Sequence, residues 1–269
     1  MKQLARRERR SGDPLAISRN KDLTGRYYLS EYWTIEDAGA YSIRLKNTER
    51  AFSHGGYAVG DGKVNTRTIT VSFFKRGATQ DDHDKAVNEA YQHFYQQGYY
   101  LIAGRADRCY HVAGIDKIRH KYQKGFLQRW SSVTVTLLLA EPFRYAAQPT
   151  TIVYDFKESK TGAEMVINNP SSVDAPLIFT FTPQGNNTAA DIQITHEQTG
   201  EAFALTDTLL TAPAIAVVDG ERGTVRRDTG NSLNTFRGVF LRALPGRNTY
   251  VYKGDACRVD VAYTGRWFM

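Results

Sequence analysis

The stretch Arg67-Thr68-Ile69-Thr70-Val71-Ser72-Phe73, followed by Thr79-Gln80-Asp81-Asp82-His83-Asp84, decides how the fold is read. In the first segment Ile69, Val71 and Phe73 alternate with Thr68, Thr70 and Ser72, which is the period of a strand buried on one face. In the second, Thr79 is a good helix N-cap, and Asp82 follows three residues later as in a capping box. Asp81, Asp82 and Asp84 place negative charge at the positive end of the helix dipole. Val87, Ala90, Tyr91 and Phe94 then recur on one helical face, and Gly98 is read as the C′ residue that ends the helix.

Working outward, no other segment has the helical period. Upstream, Tyr27 to Trp33 and Tyr41 to Leu45 read as strands. The run from Phe52 to Lys63 is rich in glycine and reads as a long loop, of the kind ordered by function or by a partner. Downstream, Tyr99 to Ala103, Cys109 to Ala113, Ile115 to Lys121 and Ser131 to Leu139 are strand-like. Glu141-Pro142-Phe143 is expected to break the last of them, because proline cannot donate to a ladder. Ala146-Ala147-Gln148-Pro149 reads as a linker. After it come short strands only: Ile152 to Phe156, Ala163 to Ile167, Leu177 to Thr182, Asp191 to His196, Glu201 to Leu205 and five more between Ala214 and Tyr263. Thr199-Gly200 and Asp219-Gly220 serve as hairpin turns. This spacing predicts a β-sandwich. The chain is therefore expected to be mainly β, with an N-terminal arm over 1–25, a β-rich domain with one helix over 26–148, and an all-β domain over 149–269.

Composition agrees. The 269 residues carry 16 Tyr and 13 Phe against 3 Met, and aromatic side chains fit a pleated, half-buried surface. A hydrophobic fraction of 41% excludes a disordered chain. Two cysteines cannot staple a disulfide-dense scaffold. The longest apolar run, Val133 to Ala140, is far short of the roughly 20 residues of a membrane helix. Lys+Arg number 35 and Asp+Glu 28, a net charge of +7, and Lys2, Arg6, Arg7, Arg9 and Arg10 supply much of it. No apolar run follows these residues, so they are not read as a signal peptide. No aromatic residue interleaves with them either, so base stacking is unsupported, and the arm is read as solvated or docked on an acidic neighbour.

Catalytic and metal signatures are weak. None of the six histidines pairs as HExxH, and His83 among Asp81, Asp82 and Asp84 is better read as part of a helix N-terminus than as a metal ligand. Gly62-Lys63 resembles the end of a P-loop, but Val64 stands where Ser or Thr is needed and Tyr57 where the first Gly should be. No GxSxG elbow is present. Cys109 and Cys257 read as free thiols of a reducing compartment. No catalytic, cofactor-binding or metal residue is assigned. Trp267, Tyr250, Tyr252 and Tyr263 could form a sugar-stacking platform, against which ordinary core packing is the plainer account.

The order of these elements resembles the distal tail proteins (Dit family) of long-tailed, non-contractile bacteriophages. In the first domain the resemblance rests on Arg67-Thr68-Ile69-Thr70-Val71 before the single helix, Gly98-Tyr99-Tyr100-Leu101-Ile102 after it, Arg108 to Ala113, and the closing Glu141-Pro142-Phe143-Arg144-Tyr145. In the second it rests on Asn168-Asn169-Pro170, Ala175-Pro176-Leu177-Ile178, the hairpin from Ile192 to Leu205, Ala214 to Asp219, and Leu244-Pro245-Gly246-Arg247-Asn248. The resemblance implies a first domain that joins a homohexameric ring continuing the tail tube, and a galectin-like sandwich projecting outward. It implies a structural, non-enzymatic baseplate component without cofactor. Its partners would be its own copies, the tail tube protein, the tail hub with tape-measure-associated proteins, and receptor-binding proteins. DNA would pass only in transit through the lumen, with no membrane insertion. Location would be the virion tail, after synthesis in the cytoplasm of the bacterial host. The arm and the 53–63 loop depart from the family pattern. The alternative expectation is a carbohydrate-binding protein of host-surface adhesion.

Overall fold

The computed structural model describes residues 15–36, 41–50, 54–122, 128–184 and 188–268. The chain separates into two compact units, one ending at Ala147 and including Phe268, the other Gln148–Trp267. Both are β-rich, and the single α-helix among the described residues belongs to the first, as the composition and the lone helical period imply.

The first unit contains β1 (Leu15–Ser18), β2 (Tyr27–Ser30), β3 (Trp33–Glu36), β4 (Ile43–Glu49), β5 (Gly56–Val64), β6 (Thr68–Arg76), α1 (Gln80–Phe94), β7 (Tyr99–Ala103), β8 (Arg108–Tyr122) and β9 (Trp130–Ala146). Its main sheet runs in the order β2-β1-β7-β8-β9-β6-β3, antiparallel along these pairings. Only Glu31 and Tyr32 separate β2 from β3, yet these strands stand at opposite ends of that order, so the sheet must bend around its core. It does not close into a barrel. Phe74 N–H donates to Tyr32 O at 3.3 Å, and Ser30 Oγ donates to Phe74 O at 3.0 Å across the bend.

The deciding stretch behaves as its pattern requires. Ile69, Val71 and Phe73 of β6 are fully buried and face Val133, Val135 and Leu137 of β9, so each alternation fills one core. On the other face Ser72 Oγ and Thr134 Oγ1 meet at 2.9 Å. Thr79 accepts from Asp82 N–H at 3.1 Å, and the Asp82 carboxylate accepts from Thr79 N–H at 3.2 Å, completing the capping box. Val87, Ala90 and Phe94 are buried and Tyr91 is half-buried. Tyr27 stacks on His93 at 3.9 Å with Lys75 Nζ 5.3 Å from its ring centroid, tying β2, α1 and β6 together. Burial, then the Glu89 charge, pushes the Tyr27 hydroxyl up to about 12, so it stays protonated there. The helix ends at Phe94, with Tyr95 as its cap. Gly98, expected at C′, instead takes φ +67° in the turn that opens β7.

Four readings are corrected. The segment expected to be a partner-ordered arm contributes β1 from Leu15 on, and all four of its residues are buried between β2 and β7; the basic residues before it lie outside the described set. The glycine-rich 53–63 loop is mostly strand. β5 pairs with β4, and its glycines are demanded by close approach: a Cβ on Gly60 would lie 1.9 Å from Arg44 O, and one on Gly56 2.6 Å from Thr48 O. The two strands expected between residues 109 and 121 are one long strand, β8, with three register shifts against β9. Pro142 does not end its strand: β9 continues to Ala146, because the register jumps between Val112↔Leu139 and Tyr110↔Arg144 and asks no N–H of Pro142.

The second unit contains β10 (Thr150–Phe156), β11 (Lys160–Asn169), β12 (Ala175–Pro176), β13 (Ile178–Pro183), β14 (Asp191–His196), β15 (Ala202–Thr206), β16 (Ala216–Asp219), β17 (Thr224–Arg227), β18 (Gly230–Asn231), β19 (Phe236–Gly238), β20 (Arg242–Ala243), β21 (Gly246–Gly254) and β22 (Cys257–Tyr263). Two antiparallel sheets, β10-β22-β13-β16-β17-β18 and β11-β21-β14-β15-β19, enclose one core. Phe179 and Phe181 from one sheet meet Phe203 from the other at centroid distances of 5.4 and 6.3 Å. Removing each such ring from water contributes about 1.5–3 kcal/mol.

Candidate functional site

The first unit holds one arrangement that resembles catalytic machinery. His83 Nε2 lies 2.7 Å from Ser131 Oγ, and its Nδ1 lies 3.1 Å from Asp84 Oδ1. With the proton on Nδ1, the ring donates to Asp84 and accepts from Ser131. The order serine, histidine, aspartate matches a nucleophile, its base and an orienting carboxylate. Access decides against that role: Ser131 and His83 are both 0% exposed, and a nucleophile must touch its substrate. The line instead pins the first turn of α1 to β9. Tyr122 adds a hydroxyl that donates to Asp84 Oδ1 at 3.4 Å. Sequence reasoning missed the Ser131 partner, 48 positions away.

The remaining candidates have structural placements. Among the described residues no group of three or more His, Cys, Asp or Glu could hold a metal. Gly62 and Lys63 lie within β5, where Lys63 N–H donates to Asp61 Oδ1 at 3.0 Å, so no phosphate cradle forms before a helix. Cys109 and Cys257 are buried free thiols, pushed by burial up to about 11 and about 12. Such thiols are neutral and poor nucleophiles at ordinary pH.

The aromatic platform does not assemble. Tyr250 and Tyr252 are fully buried and Tyr263 nearly so. Their hydroxyls donate inward, Tyr250 to Arg242 O at 2.8 Å, Tyr263 to Asn168 O at 2.7 Å and Tyr252 to Asp255 O. They are core pins whose polar tips find backbone partners, as buried tyrosines require.

Elsewhere buried polar groups organise corners. Arg67, nearly buried, donates to Pro142 O at 2.9 Å and to Phe268 O at 3.1 Å. Arg144 donates to Ala103 O at 2.6 Å. The Glu141-Pro142-Phe143-Arg144-Tyr145 corner is thus held by two guanidinium groups. In the second unit Arg227 donates to both oxygens of the buried Asp207 carboxylate at 2.5 and 2.7 Å, and Ser232 Oγ donates to Oδ2 at 3.2 Å. Asp207 had no sequence signal, since its partners lie 20 and 25 positions away.

What the surface offers is contact area. The hairpin β4–β5 is exposed along both strands. Tyr95, at the end of α1, is 86% exposed beside a groove running to β8. No helix among the described residues is long and apolar enough to cross a membrane.

Two β-rich units with packed corners and buried thiols, one of them carrying an exposed ribbon, offer surfaces suited to assembly. Residues 170–267 match the family model for the siphovirus-type tail component, C-terminal domain. The fold is similar to that of SPP1 Dit (gp 19.1), a paradigm of the hub adsorption apparatus in phages that infect Gram-positive bacteria; the TM-score is 0.69, identity 13%, and the alignment covers 89% of this chain and 96% of that one. A chain of the phage P2 baseplate in its activated conformation with calcium aligns more loosely, with TM-score 0.45 and 10% identity over 94% of this chain and 98% of that one. No curated protein sequence matches the chain. The family match places residues 170–267 with siphovirus-type tail components, and the likeness to SPP1 Dit shows a shared fold over nearly the whole chain.

Proposed function

We propose that the chain forms a hexameric ring that joins the tail tube to the tip complex and its receptor-binding apparatus, with a lumen for DNA passage. The first unit would be the ring wall and the second a galectin-like sandwich facing outward. The observation that carries this reading is the likeness to SPP1 Dit over nearly the full length of both chains. The fold suits the task. A ring needs two different patches on each subunit, related by a rotation that closes. The bent sheet, stiffened by the capped helix and the Tyr27–His93–Lys75 clasp, supplies a wall that holds those patches apart. The role is structural, with no turnover of substrate. Synthesis would take place in the host cytoplasm, with the tail tube, hub and receptor-binding proteins as partners. Light scattering on the purified chain followed by negative-stain imaging tests this. A mass of six copies, or of two such rings, and a six-fold image with a central hole are expected. A single copy at all concentrations would overturn the ring.

A further inference from the structure

In the first unit an open groove runs between α1 and β8, at the place where β8 is bulged. The register of β8 against β9 shifts between Val112 and Gly114 and again between Ile115 and Lys117. Bulges re-aim the side chains of a strand. At Gly114 the strand is bare, and a Cβ added there would meet no atom within 4 Å. The narrower part of the groove has a volume of about 330 Å³ and the wider part about 500 Å³. Both fall within the roughly 300–1,000 Å³ of small-molecule sites. The two parts share Tyr95 and Ile115, so they form one continuous opening.

The lining is aromatic, aliphatic and amide. Asn88, Tyr91, Gln92 and Tyr95 follow the i, i+3, i+4, i+7 spacing of one helical face, and Ile115 and Ile118 come from β8. Tyr91 is held edge-on to the His120 ring at a centroid distance of 6.4 Å, whereas Tyr95 is 86% exposed. Gln96 and Gln97 line the wider part beside Gly114. Among the described residues, the carboxamides of Asn88, Gln92, Gln96 and Gln97 have no hydrogen-bond partner within the chain. No charged side chain lines either part. The charge of Glu89, on the same helix, acts on Tyr27 and Lys75 instead.

We propose that the α1–β8 groove binds a neutral oligosaccharide. A phenol ring offers a flat apolar face with a polar tip, which fits the C–H face of a pyranose and its rim of hydroxyls. Each carboxamide offers an acceptor and donors side by side, which matches two neighbouring hydroxyls of a sugar. A charged ligand would find no counter-charge in this lining. The continuous opening at Tyr95 suits a chain of sugar rings over a single one. The site differs from the sandwich tyrosines, whose hydroxyls are engaged by backbone carbonyls. It goes beyond the ring reading and does not depend on it, because one copy contains the whole groove.

The test titrates the full chain with maltotriose, cellotriose and triacetylchitotriose, with trigalacturonate as the charged control, and reads binding by saturation-transfer NMR. At least one neutral trisaccharide should bind, with transfer strongest on the C–H protons of one ring face, and trigalacturonate should not. Tyr95→Ala should weaken that binding about tenfold, and Tyr95→Trp should keep it. Gly114→Met has room for its Cβ and puts its side chain in the wider opening, so binding should fall while the thermal midpoint stays at the parent's value. Binding by none of the neutral trisaccharides would overturn the site. Equal binding by the parent, Tyr95→Ala and Gly114→Met would overturn it too, since the sugar would then sit elsewhere on the chain. If the parent binds no sugar and the groove variants fail to assemble, the groove is a protein contact and the proposal is wrong. A chain that binds the sugar but stays a single copy keeps this site and overturns the ring alone.

Discussion

At the scale of single residues, the buried polar groups tie distant elements of the fold together. His83 fills a site closed to water and satisfies Ser131, so His83→Ala leaves a cavity and an orphaned hydroxyl. The expected loss is about 1–3 kcal/mol in urea unfolding, as for other buried groups stripped of a partner. Esterase assays on the same variant should match the parent, since Ser131 and His83 are both closed to substrate. The two thiols make a second prediction. Both lose their protons near 9 when unfolded but only near 11 and 12 when folded. Above pH 9 the unfolded chain therefore binds fewer protons than the native one, and native stability falls as pH rises through that window. Urea midpoints measured from pH 8 to 11 should drop, and the drop should shrink in the Cys109→Ala, Cys257→Ala double variant. Little of this was legible in advance. A histidine beside three acids reads as a helix start, which it is, but its decisive partner comes from β9. Such pairings arise from the fold, and local spacing carries no trace of them.

At the scale of elements, legibility depended on whether local chemistry and tertiary context agreed. The helix α1 was readable to its cap because Thr79 and Asp82 satisfy each other within one turn. Thr79→Ala should accordingly cost about 1 kcal/mol, visible as a lower thermal midpoint with unchanged helix content at low temperature. The β4–β5 hairpin was misread because glycine usually signals a loop, and here it signals strand-to-strand crowding. Gly60→Val drives a side chain into Arg44 O and should break the pairing from Leu45 to Glu49. Hydrogen exchange should then quicken in 43–64 alone, while β6 and β9 keep the parent's protection. Pro142 was misread for a related reason. Proline forbids a ladder bond only where the register asks for one, and the bulge opposite it asks for none.

At the scale of the whole molecule, the charge excess becomes a question of assembly. Lys2, Arg6, Arg7, Arg9 and Arg10 against Glu8 make up more than half of the net +7, so the rest of the chain is nearly balanced. In the proposed ring, contacts built on apolar burial would weaken only modestly as salt rises, even as the Debye length of ~10 Å at 0.1 M shortens to ~3 Å at 1 M. A basic arm gripping an acidic tube or hub surface would hold mainly through its charges, with only Leu4 and Ala5 between them, so it should release more steeply over the same range. Deleting residues 2–10 separates the two contacts. The truncated chain is expected to form rings with the parent's salt dependence but to co-sediment poorly with tail tubes at low salt. Equal tube binding by parent and truncated chain would show that the arm is only a solvated tail and that the tube is gripped through the folded units.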